Sequence, residues 1–275
     1  MSVPTIILYA SRFPAKLATI MVGPTQYGSD YFTQAALGYA PRVSLRIKTG
    51  RNRAIDTTTD PEDIWSGGGI YPGLPIAGIA ETVSVVSTSA NDTSDGTGAR
   101  TIRIIGIGDD DNWLSQEETV ALNGTTPVVT TTLWRRVEFM EVLTAGSGGS
   151  NAGRISVKHS TTTANVFIDC DIGDNRSAVC AWTIPGNKIA ILAQITATSK
   201  TKLADIEMGF FYRPYGGTWQ QLVSFTLTAE STNYLQNFVG GHKLYPKGDV
   251  VVRAISVTQV CDVSASFTVL QYDVI

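Results

Sequence analysis

Between Glu81 and Val157 the chain alternates short β-branched runs with clusters of small polar residues, and this punctuation constrains the fold more than any other feature. The runs Val83–Val86, Thr101–Ile107, Thr119–Leu122, Val137–Val142 and Arg154–Val157 are separated by Asn91–Gly98, Gly106–Asn112, Asn123–Gly124 and Ala145–Gly153. Such runs, bounded by Gly, Asn, Asp and Ser, read as strands joined by tight turns. Asn123-Gly124 is the sharpest signal, because both residue types accept positive φ. The glycine-rich Ala145–Gly153 reads as a flexible hairpin tip or exposed loop. From Thr161 a second series follows: Ala164–Asp169, Lys188–Thr198, Ala204–Tyr212, Thr218–Thr228, Asn233–Phe238, Asp249–Val257 and Val263–Tyr272. In Ala204–Tyr212 the residues Ile206, Met208 and Phe210 alternate with Asp205, Glu207 and Gly209, the period of a half-buried strand. No long helix is expected. The fold class is all-β: an antiparallel β-sandwich or jelly-roll-like body, as one large or two tandem sandwiches.

Residues 1–78 read differently. They hold seven of the eleven prolines, and proline removes a ladder donor and biases its predecessor to extended geometry. Two short strands are expected, Thr5–Tyr9 and Pro41–Lys48, with a helix turn at Asp60–Trp65 leading into a glycine-proline loop. Such a segment makes no compact core alone, so it lies along a partner or wraps its own body. The expected organisation is an extended N-terminal attachment segment over 1–78, a β-sandwich region over 79–160 and a second sandwich or jelly-roll-like region over 161–275.

Charge sharpens that division. Residues 1–55 carry seven Lys or Arg against the single acid Asp30, whereas the remainder holds 14 basic and 23 acidic residues. A basic front on an acidic body points to docking on something acidic, or to a solvated positive face. The segment lacks a basic amphipathic helix, so nucleic acid is not the expected partner. Trp65, beside Gly67–Gly69 and Tyr71-Pro72, reads either as an anchor for a partner or as a self-packed ring. The candidate attachment contacts are Arg42, Arg46, Arg51, Arg53, Trp65 and Tyr71.

Little in the chain is suited to catalysis. His159 and His242 are the only imidazoles, and neither stands in a nucleophile-elbow context. Asp109–Asn112 lacks the spacing of a calcium loop, and Gly106-Ile107-Gly108 opens no helix. Nothing places two of Glu117, Glu118, Glu138 and Glu141 in one cleft. Cys170, Cys180 and Cys261 lack zinc-site spacing and read as buried thiols, with a Cys170–Cys180 bridge open if adjacent strands carry them. No enzyme activity, cofactor or metal is expected. No secretion leader or membrane span is expected either, because Val3–Tyr9 is short and Pro4 interrupts it. Charged residues make up only 16% of the chain against roughly 25% in an average domain, a composition suited to a rigid particle-bound or extracellular β protein.

Four turn motifs carry a resemblance. Ser89–Thr93, the Gly-Thr-Gly-Ala-Arg of Gly96–Arg100, the strand and turn Glu118–Thr125, and the Gly146–Gly153 loop with its Asn-Ala-Gly resemble a segment recurring in virion structural proteins of tailed bacteriophages. FFYRPYGGTWQ and KGDVVVRAISVTQVCDVSASFTVLQYDVI resemble the closing strands of such proteins. The resemblance covers the body and leaves the first 78 residues without a counterpart. It implies a non-enzymatic particle component of head-decoration, head-fibre, neck or collar type, made in the bacterial host cytoplasm and located in the virion. Its partners would be major capsid, portal or neck proteins. A carbohydrate- or receptor-binding tip is the alternative. Open sheet edges need cover, so self-association is expected, with a trimer favoured.

Overall fold

A computed structural model of the chain describes residues 31–56, 61–73, 80–109, 111–162, 165–201, 205–238 and 240–274. The expected strand Thr5–Tyr9, and with it Arg12, Lys16, Pro4, Pro14, Pro24 and Pro75, lies outside the described residues. A short helix α1 (Tyr31–Ala36) leads into β1 (Val43–Ile55) and β2 (Glu62–Asp63). Then come β3 (Val83–Ser87), β4 (Ala99–Gly108), β5 (Ser115–Ala121), β6 (Val128–Val129), β7 (Trp134–Ala145), β8 (Ile155–His159) and β9 (Val166–Cys170). The rest of the chain forms β10 (Ala181–Thr183), β11 (Lys188–Ser199), β12 (Ile206–Arg213), β13 (Gln220–Leu227), β14 (Asn233–Asn237), β15 (Lys243–Leu244), β16 (Asp249–Val257) and β17 (Cys261–Asp273). Strands dominate the described residues and α1 is the only helix among them, so the fold is all-β.

Two sheets in the orders β1-β17-β11-β14 and β10-β16-β12-β13 enclose one core. The chain passes from sheet to sheet between most successive strands, which is the two-sheet, eight-strand arrangement of a jelly roll. Phe210 and Phe267 meet edge-on at its centre, 5.4 Å apart, with Trp182, Leu192 and Val252 around them. The jelly roll is discontinuous in sequence. Between β1 and β10 the chain leaves to build a second sandwich, in which β6-β3-β8-β9 packs on β5-β4-β7.

This arrangement redraws the expected boundaries. A limit at 160 would separate β8 from β9, which are paired in one sheet. The expected strand Pro41–Lys48 runs on to Ile55 and pairs with β17 from Val43–Tyr272 to Ile55–Cys261, so this part of the front segment is a wall of the jelly roll. The expected helix turn at Asp60–Trp65 is instead the bridge strand β2, paired with Arg253 and Ala254; Asp60 itself lies outside the described residues. Side-chain chemistry favours the extended form. Glu62 accepts from Asn52 Nδ2 at 3.0 Å and from the Gly69 and Asp56 amides at 2.8 Å, and Asp63 pairs with Arg253 at 2.5 Å.

The middle sheet is apolar on both faces. Val250 and Val252 join the jelly-roll core while Val251 joins the core of the inserted sandwich, so an uninterrupted Val-Val-Val run replaces alternation. The three cysteines are free and buried: Cys170 in the inserted sandwich, Cys180 and Cys261 in the jelly roll.

In the inserted sandwich the turn motifs converge on one carboxylate. Asp92 is fully buried and accepts hydrogen bonds from Ser87 Oγ (2.6 Å) and from the amides of Ala99 (2.7 Å), Ala152 (2.8 Å) and Gly153 (2.8 Å). Gly98 must lack a side chain, because a Cβ there would stand 2.2 Å from Asp92 Oδ1. The loop Ala145–Gly153, read as a flexible hairpin tip or exposed loop, is exposed at residues 147–149 and also tied down: Gly146 and Gly148 donate to Gly98 and Thr97, and Asn151 is buried. Asp92→Ala leaves one hydroxyl and three amides without their acceptor, and each orphaned group costs about 1–3 kcal/mol. The expected outcome is a loss of at least about 3 kcal/mol in chemical denaturation, with faster amide exchange at Ala99, Ala152 and Gly153. Unchanged exchange at those three amides would show that Asp92 does not organise the loops.

Candidate functional site

The inserted sandwich is joined to the jelly roll by a buried charged network. Its centre is Asp249, the first residue of β16. Arg136 of β7 reaches it through Nε (3.1 Å) and Nη2 (3.3 Å), and Arg213 at the end of β12 through Nε (3.0 Å) and Nη2 (2.6 Å). Thr183 Oγ1 of β10 donates to the same carboxylate at 2.6 Å. Each guanidinium also lies over an indole: Arg136 5.0 Å from the Trp113 ring and Arg213 4.6 Å from that of Trp219. All three charged residues of the network are buried, and two guanidinium groups around one carboxylate leave a net positive charge.

β7 makes this network possible through two bulges. Register with β4 slips between the Ile105–Phe139 and Gly106–Val137 pairs, and again between Ile107–Arg136 and Gly108–Trp134. Glu138 and Arg135 are the extra residues, and a bulge turns its side chain out of strict alternation. Glu138 accepts from the Thr183 amide at 2.8 Å, and its carbonyl accepts from Lys48 Nζ of β1 at 2.5 Å. Tyr71 adds a third tie, its hydroxyl donating to the Val137 carbonyl. Burial pushes the Lys48 ammonium down to about 8, against a smaller opposing pull from Glu138. Burial likewise raises the Glu138 carboxyl above its usual range.

The expected attachment residues separate into two groups. Trp65 and Tyr71 pack into the chain's own core, their rings 5.4 Å apart edge-on, with the Trp65 indole donating to the Gly69 carbonyl at 3.1 Å. Gly67 closes over the indole, where a Cβ would come within 2.1 Å of the ring. Self-packing, one of the two readings of Trp65, therefore describes its position. Arg51 pairs with Asp262, and Arg53 lies 3.3 Å from Asp171 and 3.6 Å from Asp174. Arg42 is exposed and Arg46 half-buried on β1, an edge strand, and neither makes an ion pair among the described residues.

The two histidines are held in different sandwiches. His159 Nδ1 accepts from the Thr161 and Thr162 amides while Nε2 meets Glu81; His242 is exposed and stands edge-on to Phe238. Glu117 and Glu141 flank Arg103, and Glu118 caps Thr131 and Thr132. Burial raises the Glu118 carboxyl, but the hydrogen bonds from those threonines outweigh it and hold the group below its usual range. Among the described residues no three His, Cys, Asp or Glu side chains are grouped to hold a metal ion, and no helix is long and apolar enough to cross a membrane.

Two tests address the network. Asp249→Ala strands two buried guanidinium groups, and breaking a buried pair costs about 3–5 kcal/mol; calorimetric unfolding should register that loss, and a change under about 1 kcal/mol would show the network to be passive. Lys48 gives a pH signature. Between about 8 and the usual lysine value of 10.5 the unfolded chain holds a proton that the folded chain has released, so stability rises with pH across that window. Lys48→Met should abolish the rise, a difference of up to about 3 kcal/mol between the two proteins. Parallel pH profiles would contradict the burial of an ionisable Lys48.

No protein-family model matches the chain, and no curated protein matches it. Among solved structures it is similar to that of the infectious bursal disease virus Gt strain, at 10% identity over 89% of this chain and 78% of that chain, with a TM-score of 0.22. It is also similar to the exported protein XepA of PBSX, at 13% identity over 81% and 86% of the two chains and a TM-score of 0.18. A VP2 subviral particle of infectious bursal disease virus aligns at 8% identity over 89% and 83%, with a TM-score of 0.16. Superpositions this loose add nothing to what the strand order already establishes.

Proposed function

We propose that the chain is a non-enzymatic structural subunit of a tailed-phage particle, docked through its basic N-terminal part with the β body turned outward. The observation that carries this reading is the convergence on Asp92. Three of the motifs resembling phage virion proteins, Ser89–Thr93, Gly96–Arg100 and the Asn-Ala-Gly of 151–153, meet at that one carboxylate. They form one physical unit rather than separate turns that agree by chance. The jelly roll, an architecture used for capsid and lectin domains, is compatible with the reading, although architecture alone does not assign function.

Docking is assigned to Arg42, just before β1, and Arg46 on β1, where an acidic neighbour would find cations that make no ion pair among the described residues. Self-association, with a trimer favoured, covers other open edges. In a phage lacking the gene, complementation with the wild-type chain should restore its copies in purified particles. Arg42→Glu with Arg46→Glu should cut incorporation by about tenfold or more while the variant stays folded. Undiminished incorporation of the folded variant would overturn the docking role. A monomer in sedimentation of the isolated protein would overturn self-association.

A further inference from the structure

A surface cleft of about 580 Å³ lies between the β12–β13 turn and the segment joining β15 to β16. Tyr215 comes from the first and Tyr245 from the second, with 62% and 55% of their surfaces open. Gln220, His242 and Lys243 supply polar groups in the same walls. Apolar and aromatic surface with a few convergent polar groups is the composition of a small-molecule site.

The rings are held in place. Tyr215 stands edge-on to the buried Trp113 at 5.2 Å, and the Lys247 ammonium lies 5.5 Å from the Tyr215 ring. The Lys243 ammonium lies 5.1 Å from the Tyr245 ring, and the Tyr245 amide donates to the Tyr212 hydroxyl at 3.1 Å. Trp113 and Lys247 both adopt left-handed backbone, at φ 58° and 63°. Side-chain-bearing residues seldom take that conformation, and it persists where the surroundings over-determine it, often at ligand sites.

Charge narrows the ligand class. Among the described residues no carboxylate lines this cleft, while Lys243 lines it and Lys247 lies beside the Tyr215 ring. The Lys247 ammonium donates to the Asp111 backbone carbonyl at 3.0 Å, and the carboxylates of Asp109 and Asp111 lie 2.9 and 3.9 Å from Arg135. Open tyrosine faces suit the C–H faces of pyranose rings, and Gln220 and His242 suit hydroxyl groups at their rims. We propose that the cleft binds an acidic oligosaccharide, its sugar rings against Tyr215 and Tyr245 and its carboxylates toward Lys243 and Lys247. This proposal does not depend on the assembly reading, since soluble protein is enough to test it.

Titration calorimetry of the full chain with tetragalacturonate and with an alginate tetramer tests it, with neutral maltotetraose as the comparison. Saturable binding of at least one acidic tetramer is expected, with a Kd on the order of 10⁻⁴ M, weakening as salt screens the lysines. Tyr215→Ala and Tyr245→Ala should each weaken binding by about tenfold, whereas Tyr215→Phe retains it. Lys243→Gln should weaken binding and flatten its salt dependence. Leu235→Ala, an exposed substitution on β14 outside the cleft lining, should leave it unchanged. Both tyrosines are exposed, so an unaltered unfolding midpoint should accompany each loss. No saturable binding of either acidic tetramer would overturn the proposal, as would equal affinity for the neutral tetramer or unchanged affinity in both alanine variants.

Discussion

The carboxylate of Asp249 is buried between guanidinium groups that come from two differently built parts of the chain, Arg136 from the inserted sandwich and Arg213 from the jelly roll. Neither arginine has a low-energy place to go without it. A desolvated guanidinium needs its counter-charge and its hydrogen bonds together, so the two sandwiches are fixed in one relative position. The bulges in β7, the tie from Lys48 to the Glu138 carbonyl and the seating of Tyr71 against Val137 all serve the same junction. Apolar packing of Val251 and Ala181 against the inserted sandwich adds stability to this contact. Charge adds direction, because hydrogen-bond geometry tolerates little sliding where apolar surface alone would tolerate more.

Part of the fold was legible from alternation along single strands. Ile206, Met208 and Phe210 are buried as their spacing implies and Glu207 is exposed, although Gly209 is buried with them because this sheet is covered on both faces. The discontinuity of the jelly roll was not legible, since strand pairing across about two hundred residues leaves no trace in local periodicity. Thus the short strand read at Pro41–Lys48 within the proline-rich front segment runs on to Ile55 as the edge strand beside β17. Trp65 takes the self-packed of its two readings, and the glycine at position 67 lets the backbone close over the ring.

The charged junction left a faint signal. In the run Trp134-Arg135-Arg136-Val137-Glu138-Phe139-Met140, Arg136 and Glu138 stand at every second position between Trp134 and Met140, which are buried. Charges in phase with core residues indicate a buried polar contact, but their partners Asp249, Arg213 and Thr183 lie far along the sequence. The Asp92 cluster was more accessible. Its turns were recognisable one by one, and their shared carboxylate explains why small residues and amides recur there.

The junction and the Asp92 cluster favour a body that keeps its shape, and in the proposed function the basic β1 edge is the face on which that body docks. A particle component needs both. The most direct measurement is electron cryomicroscopy of purified phage particles carrying the chain. The account predicts repeated density matching the jelly roll with its inserted sandwich in a fixed relation, and with the edge bearing Arg42 and Arg46 against another virion protein. Particles that contain no copy of the chain, or that hold it with that edge facing solvent, would contradict it.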